Sequence, residues 1–151
     1  MKIIPQGLVI SILLLSEILI TEARAQDVCT DPVKALSQAK PEQEKAIEQL
    51  GKCGKPAIPK VLDLLKTSQD TGLQLAASEA LGKMGTDAIA PLTQLLKDPQ
   101  AADSSRKLAI DSLSDIAKSE KKARNSILET LKERQEDPQE DQIIRLEAKE
   151  A

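Results

Sequence analysis

The chain has 151 residues and a formal net charge of −3, and it contains no Phe, Trp, Tyr or His. Without His there is no imidazole base and no imidazole metal ligand, and without aromatic rings there is no stacking platform for single-stranded nucleic acid. The small negative charge also argues against a nucleic-acid-binding surface. The remaining composition, 40% hydrophobic and 30% charged, is that of a folded domain with an aliphatic core.

The first 25 residues have the pattern of a secretory signal peptide. Lys2 precedes an apolar stretch from Leu8 to Ile20, and an A-x-A cleavage pattern follows at residues 23–25. The apolar stretch is short for a bilayer core about 30 Å thick, which favours cleavage before Gln26. We therefore predict an exported protein, periplasmic or extracellular. The alternative is a membrane-tethered structural protein that keeps this segment.

Residues 26–41 are predicted to form an N-terminal cap segment, with a short helix between Asp31 and Ala39 that ends before Pro41. The cap carries Cys29, and the other cysteine is Cys53. Export places both in an oxidising compartment, where a disulfide between them is expected. The alternative is two buried free thiols, because Cys53 aligns with a methionine at a core position of the next repeat.

Residues 42–151 contain an internal repeat. The stretches LGKCGKPAIPKVLDLLKTSQ, from Leu50, and LGKMGTDAIAPLTQLLKDPQ, from Leu81, start 31 residues apart and share ten of twenty positions. Apolar residues at helical spacing predict two helices per unit. Gly54 is predicted to end the first helix of the first repeat and Gly85 that of the second, where Thr86 or Asp87 can cap the next helix. In the second repeat the apolar positions are Leu73, Ala76, Ala77, Ala80, Leu81 and Met84, then Ile89, Leu92, Leu95 and Leu96.

A third, weaker repeat follows with a longer turn, AKSEKKAR, between its two helices. A last helix carries Ile143, Ile144 and Leu146, and no further repeat follows it in the sequence. We expect this helix to fold back on the third pair; the alternative is that its apolar side docks on another chain. The apolar positions of the third repeat are Leu108, Ala109, Ser112, Leu113 and Ile116, then Ala123, Ile127, Leu128 and Leu131.

The second repeat, LQLAASEALGKMGTDAIAPLTQLLKDPQ, resembles the short bacterial HEAT repeat of the phycobilisome-lyase type. In the third repeat, Arg106 lies where that family places an arginine. The resemblance implies an all-α fold, a short α-solenoid of about three stacked helix pairs with partial caps over residues 42–151. The matching positions are Leu81, Gly82, Gly85, Ala88, Ile89, Leu92, Leu96 and Asp98.

The resemblance also implies a scaffold or adaptor that binds an unknown protein partner. Related hydroxylases use His-Glu metal pairs, which this chain cannot supply. Bilin lyases resemble the repeat more closely but act on cytoplasmic substrates and use longer solenoids, so a lyase-related enzyme or enzyme subunit is the third alternative. We expect no catalytic residue, metal, cofactor, small-molecule substrate or nucleic acid, and membrane contact only if the N-terminal segment is kept. The candidate partner-binding residues, chosen because second helices line the concave face in this family, are Lys60, Asp63, Lys66, Gln94, Lys97, Glu129 and Lys132.

Overall fold

The computed structural model of the chain describes residues 29–151, so the predicted signal peptide at residues 1–25 lies outside the described residues. All the regular structure described is helical. The helices are α1 (Thr30–Ala35), α2 (Glu42–Cys53), α3 (Ile58–Thr67), α4 (Thr71–Lys83), α5 (Ile89–Lys97), α6 (Asp103–Ser119), α7 (Arg124–Glu136) and α8 (Gln142–Glu150), with a 3₁₀ turn at Gly85–Ala88 before α5.

The helices alternate between two layers. The first layer consists of α2, α4, α6 and α8, and the second consists of α3, α5 and α7, with α1 packed on α2 at the front. Neighbouring helices of the first layer approach closely, whereas neighbours in the second layer touch over a short length only. This arrangement confirms the predicted all-α solenoid.

Helices pair most closely across the predicted repeat boundaries. The closest successive pairs are α1–α2, α3–α4, α5–α6 and α7–α8, and not the two helices inside each sequence unit. Within the second unit the 3₁₀ turn Gly85–Ala88 separates α4 from α5. The predicted repeat length is therefore correct. The most closely packed successive helices, however, are the second helix of one unit and the first helix of the next.

The core is one continuous aliphatic layer between the two sets of helices, since the sequence offers no aromatic residue to fill it. Leu81 and Leu113 from the first layer and Leu92 and Leu96 from the second are fully buried. Leu128 was predicted to belong to this core, but its side chain is 47% exposed. The buried residues of α7 are Ile127 and Leu131, so the apolar stripe of this helix is narrower than predicted.

Glycine ends the first helix in two of the units. Gly54 has φ 59° and Gly85 has φ 65°, a backbone region that other residues adopt at a cost. The predicted caps from Thr86 or Asp87 do not form, because both residues lie within the 3₁₀ turn. The following helix, α5, begins without a side-chain cap. The carboxylate of Asp87 instead lies 3.5 Å from the Lys55 Nζ.

Each end of the described stack is held by a specific contact. At the front a disulfide joins Cys29 to Cys53 and so links the segment before α1 to the end of α2. At the back, α8 packs on α6 and α7 with Ile144 fully buried, as the fold-back prediction expected. The buried side of α8 is completed by Ala148, whereas Ile143 and Leu146 are exposed.

A buried ion pair ties α6 to the turn between α7 and α8. Arg106 donates through Nη2 to Glu140 Oε2 at 2.6 Å and through Nε to the Leu96 carbonyl at 3.0 Å. Arg134 Nη1 lies 3.3 Å from the same Glu140 oxygen. Burial alone raises the pKa of Glu140, but the hydrogen bonds from Arg106, Arg134 and the Asp141 N–H, together with the Arg106 charge, hold it below its ordinary value. Arg106 therefore has a buried carboxylate partner in the folded chain.

Candidate interaction surface

The close packing of the first layer depends on small residues at the helix contacts. A Cβ added to Gly51 of α2 would lie 2.9 Å from the Lys83 Cβ and 3.1 Å from the Lys83 carbonyl oxygen of α4. On α4, Ala76, Ala77 and Ala80 are buried as well. Since a larger residue at Gly51 would force α2 and α4 apart, the glycine permits their close spacing.

Two buried serines join α4 to α6. The Ser78 hydroxyl lies 3.0 Å from the Leu108 carbonyl oxygen and 2.9 Å from the Ser112 hydroxyl. The Ser112 hydroxyl lies 2.9 Å from the Ser78 carbonyl oxygen. A polar group buried in this way is costly to leave unpaired, so these bonds fix the register of α4 against α6. The first layer is therefore a defined platform for the side chains on its outer surface.

Grooves run between successive helices of the first layer, and they share lining residues. The groove between α4 and α6 has a volume of about 770 Å³. Glu79 and Lys83 also line the α2–α4 groove, and Asp111, Asp115 and Lys118 also line the α6–α8 groove. The three grooves thus form one continuous surface, which we call the first-layer face.

The first-layer face is acidic. Its grooves are lined by eight carboxylates and three lysines, a net charge of −5, whereas the whole chain carries −3. The carboxylates belong to Glu44, Glu48, Glu79, Asp111, Asp115, Glu120, Glu147 and Glu150, and the lysines are Lys45, Lys83 and Lys118. The negative charge of the protein is therefore concentrated on this face.

Few of these carboxylates are neutralised internally. Asp115 lies 3.2 Å from Lys118 Nζ, and Glu147 lies 3.0 Å from Nζ of Lys107, a lysine at the edge of the face. Glu79 and Asp111 form no ion pair within the described part of the chain. Partial burial in the groove raises the pKa of Asp111, and the negative charge of Glu147 raises it further, whereas the charges of Lys107 and Lys118 lower it. Because the net shift is upward, the two lysines do not fully compensate the Asp111 carboxylate.

The residues predicted to bind the partner lie elsewhere, on the second layer. Lys60, Asp63 and Lys66 are exposed on α3, Gln94 and Lys97 on α5, and Glu129 and Lys132 on α7. They line none of the three grooves described above. Lys97 pairs with Glu133 at 2.9 Å and Lys132 with Glu136 at 3.8 Å. Their role in binding stays a prediction.

The carboxylates of the first-layer face were missed, although the repeat contained a signal for them. Glu48, Glu79 and Asp111 occupy the same repeat position in α2, α4 and α6. Glu48 and Glu79 line one groove, and Glu79 and Asp111 line the next. The recurrence of an acidic residue at this position in three units is visible in the sequence. We call this series the carboxylate ladder.

Among residues 29–151, no group of three or more Cys, Asp or Glu side chains is arranged to hold a metal ion. None of the helices in that range combines the length and the apolar character needed to cross a membrane.

The layered packing and the grooved surface define a helical-repeat protein of the α-solenoid class. A family model of HEAT repeats matches residues 33–114, more than half of the chain, and the chain belongs to the HEAT-repeat family. Such repeats commonly serve as scaffolds for protein–protein interaction.

One solved structure similar to this chain is the crystal structure of an engineered protein. It is 24% identical over 78% of this chain and 58% of that one, with a TM-score of 0.36, which is too low to inform the function. This chain thus spans little more than half the length of that protein. No curated protein matches the chain.

Proposed function

We propose that the protein is an exported, non-catalytic scaffold or adaptor that binds a protein partner through its first-layer face. The observation that carries the proposal is the continuity of the grooves across α2, α4, α6 and α8, lined by eight carboxylates on a closely packed layer. A surface of this kind suits a macromolecular partner, because specific interfaces need an area far larger than a small-molecule pocket.

The non-catalytic part of the proposal is supported by the chemistry available. The chain has no His, and both cysteines are in the disulfide. Nucleophilic catalysis requires a nucleophile and a base in hydrogen-bond contact. The hydroxyls of Ser78 and Ser112 are instead buried between helices and bonded to backbone carbonyls, which is a structural arrangement.

The exported part is supported by the N-terminal sequence pattern and by the disulfide, since such bonds persist in oxidising compartments. Mass spectrometry of the protein purified from its native source tests it. We expect a mature chain that begins at Gln26. A chain that still carries residues 1–25 would favour the membrane-tethered alternative.

The proposed surface is tested by affinity capture from the native compartment with two charge-reversed variants. Glu79→Lys with Asp111→Lys alters the first-layer face, and Lys66→Glu with Lys132→Glu alters the second layer by the same number of charges. We expect the first variant to lose the partners that the wild-type protein retains, while the second keeps them. If only the second variant lost its partners, the binding site would lie on the second layer and the proposal for the first-layer face would be wrong.

A further inference from the structure

The carboxylate ladder recurs at the spacing of the helices. Glu48, Glu79 and Asp111 lie on three successive helices of the first layer, and each neighbouring pair shares a groove. All three side chains are exposed. A ligand that lies across the helices would therefore meet one carboxylate per repeat.

The negative charges of the carboxylate ladder are not paired with positive side chains inside the described part of the chain. None of its three carboxylates forms an ion pair there, although Lys83 lines the same grooves as Glu79. Asp111 is in addition repelled by Glu147 across the α6–α8 groove and by Asp115 on its own helix, and the nearby Lys107 and Lys118 offset only part of this unfavourable environment. Positive charge supplied from outside would relieve this repulsion, so charge complementarity selects a basic ligand.

The spacing restricts the shape of that ligand. Packed helices have axes about 8–10 Å apart. A polyproline II or similarly extended chain advances about 9 Å in three residues and returns its side chains to the same side. A basic residue at every third position of an extended segment would thus face successive carboxylates of the ladder.

An apolar contact is available beside the ladder. Leu75, on α4, is 54% exposed and lines the α4–α6 groove together with Glu79 and Asp111. A single exposed leucine is ordinary on a protein surface, and its relevance here is its position in the same groove as two carboxylates of the ladder. Leu75 would contact an apolar side chain located between two basic residues of the ligand.

Resting on the proposed function, we propose that the partner presents an extended basic segment, with Lys or Arg at every third position and an apolar residue between them, which lies across α2, α4 and α6. The acidic face disfavours nucleic acid and anionic lipid, which share its sign of charge. The segment binds with its backbone crossing the helices and its basic side chains directed at Glu48, Glu79 and Asp111.

The test uses two labelled heptapeptides of equal composition and equal charge. The spaced probe is Lys-Pro-Leu-Lys-Pro-Ala-Lys, and the clustered probe is Lys-Lys-Lys-Pro-Leu-Pro-Ala. Fluorescence anisotropy measures their binding to the mature protein with its disulfide intact, at low ionic strength and at about 0.15 M salt. We expect the spaced probe to bind at least about fivefold more tightly than the clustered one.

Two variants locate the site. Glu79→Gln with Asp111→Asn should weaken binding of the spaced probe about tenfold, on the scale of two lost ion pairs at a partly exposed surface. The matched control, Asp63→Asn with Glu129→Gln, removes two carboxylates from the second layer and should leave binding unchanged. Circular dichroism shows whether each variant is folded as the wild-type protein is.

The remaining outcomes separate this inference from the proposed function. Equal affinity for the two probes, or equal losses in the two variants, would reduce the interaction to unspecific charge attraction and overturn the inference. So would an absence of binding at low ionic strength. The proposed function would survive such a result if the Lys-substituted first-layer variant still lost its captured partner, and it would fail if that partner were retained.

Discussion

The two layers are built from the same repeat, yet they differ in packing and in charge. First-layer helices approach closely at Gly51, and their outer side carries a recurring series of carboxylates without ion pairs in the described residues. Second-layer helices lie further apart, and an exposed ion pair, Lys97 to Glu133, spans α5 and α7. Because both layers have exposed charged residues, exposure alone does not distinguish them. The proposal for the first-layer face therefore rests on its continuous grooves and on the net negative charge of their lining.

The largest effect should come from the buried ion pair that links the layers at the back of the stack. Glu140→Gln would leave Arg106 and Arg134 without their shared carboxylate, and breaking a buried pair costs about 3 kcal/mol or more. Chemical denaturation measures this loss. Glu133→Gln removes the exposed partner of Lys97 and should leave stability nearly unchanged. Similar losses of unfolding free energy in both variants would show that burial does not make the Glu140 pairs more important for stability than the exposed Lys97–Glu133 pair.

The same pair predicts how stability depends on pH. Because the pKa of Glu140 is lower in the folded than in the unfolded chain, its stabilisation is complete above the ordinary glutamate pKa of about 4.3 and is lost as the pH falls below it. Denaturation between about pH 3 and 6 should show a smaller decline for Glu140→Gln than for the wild-type protein. A parallel decline would contradict the assignment.

The disulfide gives the next largest effect, at the front of the stack. Cys29 and Cys53 are separated by 24 residues, and closing such a loop stabilises the folded chain by about 3 kcal/mol in the chain-entropy model. Reduction should lower the melting temperature by several degrees. The control is the Cys29→Ser, Cys53→Ser double variant, whose melting temperature should not respond to reductant.

Two glycines test the close packing of the first layer. Gly51→Ala places a Cβ 2.9 Å from the Lys83 Cβ and should cost about 1–3 kcal/mol. Gly82→Ala is the matched control, because its Cβ would lie 3.5 Å from the Asp115 Cβ, an ordinary contact. There the better helix propensity of alanine should stabilise the protein by up to about 1 kcal/mol. Equal effects of the two substitutions would mean that α2 and α4 are not closely fitted.

The smallest effect concerns the unpaired charge itself. Since the pKa of Asp111 is raised in the folded chain, its ionisation opposes folding at neutral pH. Asp111→Asn should therefore raise the stability at pH 7 by less than about 1 kcal/mol. The gain should disappear as the pH falls below the ordinary aspartate range, where Asp111 itself becomes protonated. A loss of stability at pH 7 would show that Lys107 and Lys118 compensate the charge fully.

Much of the fold could be predicted from the sequence because the same pattern of apolar residues and glycines recurs in successive repeat units. Gly54 and Gly85 could be identified as helix ends from their place after an apolar stripe, and both have positive φ. The position of Arg106 was also clear, but its partner Glu140 is 34 residues away and needed the folded chain to be identified. Leu128 was misassigned because α7 buries a narrower stripe than the preceding second-layer helices.

The candidate site was less predictable. The family resemblance directed attention to the second helices, while the structure concentrates unpaired carboxylates and grooves on the first. The recurrence of Glu48, Glu79 and Asp111 could have been found in the sequence. Their lack of internal partners could not, because it depends on which lysines the packing brings near them.

Photo-cross-linking in the native compartment tests the central claim most directly. A photoreactive residue is introduced singly at Leu75 and Asp115 on the first-layer face, and at Lys66 and Lys132 on the second layer. The partner should be captured from Leu75 and Asp115, and not from Lys66 or Lys132. Capture from the second-layer positions with none from Leu75 or Asp115 would contradict the assignment of the first-layer face.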